Sequence, residues 1–231
     1  MNDSNDFLPP TQRFSNRVEF YERYRPGYPA AIIAFLREAI SLSVDSVIAD
    51  IGSGTGLLTA LFLENGNQVY AVEPNDEMRA AAEMRFDGLS NFHSVKATAE
   101  RTALAEHGID LITAGQAFHW FDLEAARHEF QRILQSSGWL ALVYNSWQVS
   151  GSAVARQYAE LVNRYGVDYH RVTRQNRLGD DTTRFFGGEG PREERFENNQ
   201  RYDFDALRGR ALSSSYAPLS GHPHHEPFLS G

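Results

Sequence analysis

A glycine-rich turn directly after a short β-branched run is the feature that most constrains this chain. Residues 47–51 read Val-Ile-Ala-Asp-Ile and predict a buried strand. Gly52, Gly54 and Gly56 follow at once, before a helical segment that begins at Leu57. Glycine tolerates positive φ and lets a ligand approach the backbone closely. In open α/β sheets such a strand–helix junction is the usual ligand site, so the turn predicts both an α/β fold and a binding site.

The rest of the chain alternates strand-like and helix-like segments. Further strands are predicted at residues 68–73, 92–96, 109–114 and 139–144. Helices are predicted at residues 14–24, 30–40, 57–64, 76–85, 123–134 and 152–165. Asn75 is placed to cap the fourth of these helices, and residues 196–202 are the best candidate for a sixth strand. The alternation predicts an α/β fold of the Rossmann-like, doubly wound type, with a mostly parallel sheet and helices on both faces.

The two ends of the chain differ from its middle. Residues 1–13 are polar and contain two adjacent prolines, which predicts a mobile arm. We expect residues 14–231 to form a single domain. Within it, residues 14–147 would make the core, and residues 148–231 a cap or insertion with the C-terminal segment. Residues 170–201 are rich in Arg, Asp, Glu and Gly and offer few apolar anchors.

Charge and cysteine content exclude several classes of function. The 22 basic and 30 acidic residues give a net charge of −8, which argues against nucleic acid or an anionic membrane as the main partner. The chain has no cysteine, so disulfides, thiolate zinc sites and cysteine nucleophiles are excluded. No apolar stretch is long enough to span a bilayer and no signal peptide is visible. We therefore expect a cytoplasmic protein whose oligomeric state stays open.

Two acidic residues narrow the chemistry of the ligand. A dinucleotide site needs the glycine pattern G-x-G-x-x-G, but position 57 is Leu, and no lysine follows the turn as a phosphate-binding loop requires. Asp50 precedes the turn and would repel a pyrophosphate while tolerating an ammonium group. Glu73 lies 21 residues after Gly52, where an acid accepts hydrogen bonds from ribose hydroxyls. The alternative is a structural turn beside a solvated carboxylate; for Glu73 we expect no partner in the core.

Further segments add to the two motifs at residues 50–56 and 73–75. They are residues 97–100, 115–120, an N-terminal block with Phe14, Tyr21, Arg25 and Tyr28, and residues 209–216. Together they resemble the class I S-adenosylmethionine-dependent methyltransferases, and more narrowly the type 11 small-molecule group that includes trans-aconitate methyltransferases. The resemblance extends over residues 14–147 and implies S-adenosylmethionine as cofactor and S-adenosylhomocysteine as product. It also implies a helix and a final antiparallel strand beyond Gly231, so we expect the C-terminal part of the fold to be incomplete.

The resemblance also implies which residues meet the cofactor. These are Phe14, Tyr21, Arg25, Asp50, Gly52, Ser53, Gly54, Gly56, Glu73, Pro74, Met78, Thr98, Ala99, Glu100, Gln116 and Phe118. In this scheme Asp50 lies near the methionine amine and Glu73 binds the ribose. Ala99 and Glu100 meet the adenine, and aromatic faces near the sulfonium stabilise its positive charge.

Three other features have competing interpretations. His119, which follows the fourth strand, is the candidate catalytic base, although a packed histidine is the alternative and a carboxylate acceptor needs no base at pH 7. Arg25 either binds a carboxylate of the cofactor or of a small carboxylic acid acceptor, or is an exposed arginine at a helix end. His222, His224 and His225 are spaced irregularly around a proline, so we expect a surface loop and no metal site.

Function classes other than methyl transfer stay open on the same fold. An NAD-type oxidoreductase is disfavoured by Leu57 and Asp50. A non-catalytic cofactor-binding protein is the second alternative. Within methyltransferases, the acidic balance and the lack of a basic stripe disfavour a protein or nucleic-acid acceptor and favour a small molecule.

Overall fold

The computed structural model describes two compact units of the chain. Its described residues are 17–146, 153–167, 169, 178–187 and 190–230. The first unit contains Gly27–Tyr144, Glu193–Asn198 and the described part of Met1–Val18. The second contains Glu19–Pro26 and the described parts of Asn145–Arg192 and Asn199–Gly231. The predicted arm at 1–13 lies outside the described residues. The division of residues 14–231 into core and cap stays a prediction.

The first unit is built on a five-stranded parallel sheet. Its strands are β1 (Val47–Ile51), β2 (Gln68–Val72), β3 (Phe92–Val95), β4 (Ile109–Gly115) and β5 (Leu134–Val143). They lie in the order β3-β2-β1-β4-β5, with parallel pairing between all neighbours. The predicted α/β fold is thereby confirmed. Strand order reverses between β1 and β4, and ligands of such sheets bind at the carboxyl ends of the strands beside this switch point.

Most helices follow the predicted ranges closely. The described helices are α1 (Val18–Tyr24), α2 (Ala31–Ile40), α3 (Leu57–Glu64), α4 (Asp76–Arg85), α5 (Leu123–Ile133), α6 (Ala153–Tyr165), α7 (Leu178–Phe186), α8 (Phe204–Leu212) and α9 (His225–Ser230), with a short 3-10 helix at Phe118–Trp120. Asn75 caps α4 as predicted, because its Oδ1 accepts a hydrogen bond from the Met78 N–H at 2.8 Å. No described helix combines the length and the apolar character that a membrane span requires.

Two predicted strands are wrong or incomplete, and one helix was not predicted. Residues 196–202 form no strand; Phe196 packs its ring on Phe35 at 5.7 Å and Asn198 donates to the Gly27 carbonyl at 2.9 Å, so side chains rather than a ladder hold this segment. The fifth strand begins at Leu134, because Leu134 pairs with Ile109 across an irregular register. Helix α7 was not predicted within the charged stretch that contains it.

Helix α3 anchors the glycine turn to the core of the first unit. Six consecutive residues, Leu58 to Leu63, are buried, since the helix packs against β1 and β2. The core around it includes Ile33, Leu36, Ile48, Phe62, Val69, Phe86 and Leu111. The turn that precedes α3 therefore stands on a rigid base at the carboxyl end of β1. The second unit has its own small core of Val162, Ala211, Ala217 and Phe228.

Candidate functional site

The three glycines of the turn have different surroundings. All have positive φ, at 69° for Gly52, 58° for Gly54 and 81° for Gly56. A Cβ on Gly52 would lie 2.6 Å from the Ala117 Cβ, and one on Gly56 would overlap the Phe86 ring. A Cβ on Gly54 would have no atom within 4 Å. Gly52 and Gly56 are therefore required for packing, whereas Gly54 leaves open space in which a ligand can approach the backbone.

Glu73 ties the glycine turn to the end of β2. Its Oε2 accepts a hydrogen bond from the Gly54 N–H at 2.9 Å, and its Oε1 accepts one from the Asn75 N–H at 2.8 Å. The side chain is nearly buried, at 8% exposed. Burial raises the pKa of Glu73, and the two N–H donors partly offset this effect. We expected Glu73 to have no obligatory partner in the core; instead it is nearly buried and holds two backbone N–H groups. Each oxygen keeps a lone pair that can accept a ligand hydroxyl.

Asp50 points into the fold. The carboxylate is fully buried and accepts hydrogen bonds from the hydroxyls of Thr59 at 2.7 Å and Thr113 at 3.1 Å. Burial raises the pKa of Asp50 to about 6, although the threonine hydroxyls act in the opposite direction. Its position near a ligand amine stays a prediction. In this structure it braces the turn by joining the end of β1 to α3 and β4.

Two hydroxyls of the turn, the Ser53 Oγ and the Thr55 Oγ1, are buried, and neither has a hydrogen-bond partner among the described residues. The backbone of the turn is well anchored, because the N–H groups of Gly52 and Ser53 both donate to the Val72 carbonyl, at 2.8 and 3.1 Å. Buried polar atoms are rarely left unsatisfied. The turn thus offers an anchored backbone for a polar ligand, whereas the Thr55 hydroxyl is fully buried.

The segments after β2 and β3 carry the next predicted residues. Pro74 is partly exposed beside Glu73, and Met78 is buried in the first turn of α4. After β3, Thr98 is exposed and Ala99 is buried. Glu100 accepts a hydrogen bond from the Asp122 N–H at 2.9 Å, which links this segment to the start of α5. Because the strands are parallel, these segments all leave the same edge of the sheet as the glycine turn.

Gln116 and Phe118 follow the carboxyl end of β4. Gln116 has a φ of 58°, an unusual conformation for a residue with a Cβ, and its N–H donates to the Val143 carbonyl at 3.0 Å. The Phe118 ring is fully buried and packs edge-on against Phe121. The structure therefore places Phe118 in the core, and its predicted contact with a sulfonium stays a prediction.

His119 and Tyr144 form a polar pair at the same edge. Their ring centroids are 6.4 Å apart, and the His119 ring packs on Trp120 at 4.5 Å. Burial lowers the pKa of His119 to about 4, so the imidazole is neutral at pH 7. Burial also raises the pKa of the Tyr144 phenol. Sequence reasoning missed Tyr144, although its position directly after the fifth strand, at the sheet edge that binds ligands, is a usable signal.

Arg25 and Tyr21 belong to the second unit. The Arg25 guanidinium donates to the Ser213 hydroxyl at 3.0 Å and to the Ser213 carbonyl at 3.1 Å, and it lies 4.9 Å from the centre of the Tyr21 ring. A Cβ on Gly209 would overlap the Tyr24 ring. Tyr24 and Arg25 thus contact residues 209 and 213, so Arg25 is not a solvated arginine at a helix end. Phe14 lies outside the described residues.

The three C-terminal histidines have contacts within the second unit, and the His224 Nδ1 lies 3.2 Å from the Tyr165 carbonyl. The His222 Nδ1 accepts from the His224 N–H at 3.1 Å, and the His225 Nδ1 lies 2.9 Å from the Pro218 carbonyl. Across the described ranges, no three potential ligand side chains are grouped around a metal-sized space.

Comparisons with known proteins agree with this geometry. Residues 49–142 match the family model described as a methyltransferase domain. An uncharacterized methyltransferase of Mycobacterium tuberculosis, Rv3342, is 36% identical over 157 residues, which is 66% of this chain and 60% of that protein. An uncharacterized methyltransferase of Schizosaccharomyces pombe, C25B8.09, is 32% identical over 57% of this chain and 52% of its own length. This chain thus spans between half and two thirds of the length of these relatives.

One solved structure covers most of the chain. It is described as a "putative type II methyltransferase" from Anaeromyxobacter dehalogenans, with a TM-score of 0.59 and 22% identity over 89% of this chain and 86% of that one. At this identity the likeness shows the fold, and it agrees with the parallel sheet.

Proposed function

We propose that this chain, whose residues 49–142 match the methyltransferase-domain family model, transfers a methyl group from S-adenosylmethionine to a small molecule. One observation carries the proposal. The Gly54 N–H donates to the Glu73 carboxylate at 2.9 Å, beside a Gly54 backbone that faces open space. The two predicted cofactor motifs therefore meet at the carboxyl edge of the sheet.

The residues around this point fit the cofactor expected for the family. Glu73 has acceptor capacity for the ribose hydroxyls, and the open side of Gly54 admits the ligand chain. When bound, S-adenosylmethionine supplies a methyl group that its sulfonium already activates. The protein's contribution is then to align the acceptor and to exclude water.

The finer part of the proposal is a carboxylic acid as acceptor. It is supported by the resemblance to the trans-aconitate group and by Arg25. In this structure, two of the Arg25 N–H donors bind Ser213, and guanidinium has five N–H donors in all. A panel of di- and tricarboxylates, assayed for methyl esters by mass spectrometry, tests this class. Activity confined to amines, phenols or macromolecules would place the acceptor elsewhere.

Two alternatives are tested by cofactor binding alone. An NAD-type oxidoreductase would need a pyrophosphate site, and the turn has Leu57 where that fingerprint has glycine. A ligand that binds only the native state raises the melting temperature, so S-adenosylhomocysteine is expected to raise it and NAD is not. Equal stabilisation by NAD, or none by either ligand, would contradict the proposal. Cofactor binding without turnover of any acceptor would favour the non-catalytic alternative.

A further inference from the structure

Two side chains with buried polar atoms, His119 and Tyr144, lie just beyond the ends of the neighbouring strands β4 and β5. His119 lies in the 3-10 helix that follows β4, and Tyr144 directly follows β5. The two strands are paired to their ends, where Gly115 is in register with Val143. Among the residues that the structure describes, the His119 Nδ1 has no hydrogen-bond partner, and the Tyr144 hydroxyl has no acceptor for its proton, although the His119 backbone N–H approaches its oxygen. Since the large majority of buried side-chain polar atoms are paired, this juxtaposition calls for a ligand.

We infer that the Tyr144 hydroxyl and the His119 imidazole together hold the oxygen nucleophile that receives the methyl group. This inference rests on the proposed function and names the acceptor atom within it. A phenolic O–H donates a hydrogen bond to an oxygen, and a neutral imidazole offers either an N–H or a lone pair. The pair can therefore bind either a hydroxyl oxygen or a carboxylate oxygen. These two kinds of acceptor differ only in whether His119 takes up a proton.

Neutral groups suit a site beside a sulfonium. Burial lowers the pKa of His119 to about 4, so at pH 7 the ring adds no positive charge that would oppose the cationic donor. Burial also favours the neutral form of the Tyr144 phenol, which keeps its proton available as a hydrogen-bond donor. Both groups are thus poised to bind oxygen without a net charge of their own.

The proton balance separates the two sources of oxygen. With a hydroxyl acceptor, the oxygen forms a bond to the methyl carbon while the carbon–sulfur bond breaks and leaves its electron pair on sulfur. The hydroxyl proton passes to the His119 Nδ1 and is released to water as the product leaves. With a carboxylate acceptor, the same bonds form and break but no proton moves, and His119 only positions the oxygen.

A second tyrosine–histidine pair in the same sheet is a matched control. Tyr70 and His93 stack at 4.8 Å on β2 and β3. Their polar atoms are satisfied, because the Gln68 amide donates to the Tyr70 hydroxyl at 2.9 Å and lies 3.2 Å from the His93 Nε2. The Tyr70→Phe substitution also removes a tyrosine hydroxyl, but one that is hydrogen-bonded within the protein and lies outside the proposed site.

The experiment is an NMR titration of protein loaded with S-adenosylhomocysteine and labelled at tyrosine Cζ and the histidine nitrogens. The probes are phenol, as a hydroxyl, and acetate, as a carboxylate. At least one probe is expected to shift the Tyr144 and His119 signals, which are assigned with Tyr144→Phe and His119→Gln. Because Tyr144→Phe loses one neutral hydrogen bond, the affinity of that probe should fall by about 3- to 10-fold. Tyr70→Phe should leave its affinity unchanged.

Two results would overturn the inference. One is that neither probe shifts these signals; the other is that a probe binds Tyr144→Phe as tightly as the parent. If Tyr144→Phe does not fold, His119→Gln carries the same comparison. Calorimetry with S-adenosylhomocysteine is run first on the parent, Tyr144→Phe and Tyr70→Phe, and equal affinities are expected. Failure of the parent to bind would refute the proposed function, and the same probe titration on unliganded protein still decides whether the pair binds oxygen.

Discussion

The first unit contains two sets of buried carboxylates in opposite electrostatic settings. On α5, Glu129 accepts hydrogen bonds from the Thr102 N–H at 2.8 Å and hydroxyl at 2.6 Å, and from the Arg132 guanidinium at 2.8 and 2.7 Å. At the glycine turn, the hydrogen bonds to Asp50 and Glu73 come from neutral hydroxyl and N–H groups.

The pKa values follow this difference. The Arg132 guanidinium lowers the pKa of Glu129 to about 2, whereas burial raises the pKa of Asp50 to about 6 and also raises that of Glu73. A carboxylate that hydrogen-bonds a cation stabilises the folded state at pH 7, and one buried among neutral donors costs stability there. The Glu129 site therefore stabilises the fold. The buried carboxylates at the glycine turn lower the stability of the folded state at pH 7, and a ligand-binding role explains why they are present.

The largest expected effect is on cofactor binding at Glu73. Glu73→Ala removes the acceptor of the ribose hydroxyls and should cost about 2–4 kcal/mol, or about 30- to 1000-fold in dissociation constant for S-adenosylhomocysteine. Because the Gly54 and Asn75 N–H groups also lose their acceptor, the unliganded protein should unfold at lower urea as well. Calorimetry and urea denaturation measure the two effects.

His119→Ala is the control for this prediction. It should leave the affinity for S-adenosylhomocysteine nearly unchanged, since the pair with Tyr144 is assigned to the acceptor. Unchanged cofactor affinity in Glu73→Ala would mean that the ribose assignment is wrong and that the glycine segment is a structural turn.

Glu129→Gln should lower the stability of the protein without changing its affinity for S-adenosylhomocysteine. The variant should lose about 2–3 kcal/mol of unfolding free energy at pH 7, from the lowered pKa of a carboxylate that is little exposed. Because the folded pKa lies below the unfolded value of 4.5, this contribution is complete above pH 4.5 and is lost as the pH falls through about 2. Urea denaturation between pH 2 and 7 should show the two proteins converging in acid. If the difference in unfolding free energy between the two proteins stayed constant with pH, the lowered pKa of Glu129 would be contradicted, and with it the electrostatic difference between this site and the turn.

Asp50 should have the opposite pH dependence. Its folded pKa of about 6 lies above the unfolded 3.8, so its contribution is complete below pH 3.8 and is lost as the pH rises through about 6. The stability of Asp50→Asn relative to the parent should therefore rise by about 2 kcal/mol between pH 4 and 7. The same denaturation series tests this, and parallel curves for parent and variant would contradict the raised pKa.

The smallest effect on stability is expected at Gly54. Gly54→Ala has room for its methyl group, so the cost should be about 1 kcal/mol for the positive φ alone. Gly56→Ala, whose methyl group overlaps Phe86, should cost more. The methyl group at Gly54 does enter the open space of the turn, so S-adenosylhomocysteine should bind this variant more weakly. Full affinity in Gly54→Ala would mean that the ligand does not approach the backbone there.

Much of this fold could be predicted from local pattern. The ranges of β1 and α3, the Asn75 cap and the alternation of strands and helices all follow from apolar periodicity and turn residues within a few positions. The predicted strand at 196–202 was wrong, because side-chain contacts outside this segment hold it: Phe196 packs on the core around Phe35, and the Asn198 amide donates to the Gly27 carbonyl. Helix α7 lies in a charged stretch that offered few apolar anchors for a pattern.

The candidate site likewise has features that could be predicted from the sequence and features that only the structure shows. The glycine turn and Glu73 were found because each bears its chemistry next to a strand end in the sequence. The bond between Gly54 and Glu73, the burial of Asp50 against Thr59 and Thr113, and the pairing of His119 with Tyr144 join residues 9 to 63 positions apart. Such contacts depend on strand order, and so do the pKa shifts, because burial and neighbouring donors exist only once the sheet has assembled. Chain pattern specified which groups are present at the edge of the sheet; only tertiary packing decided which of them are satisfied and which are left for a ligand.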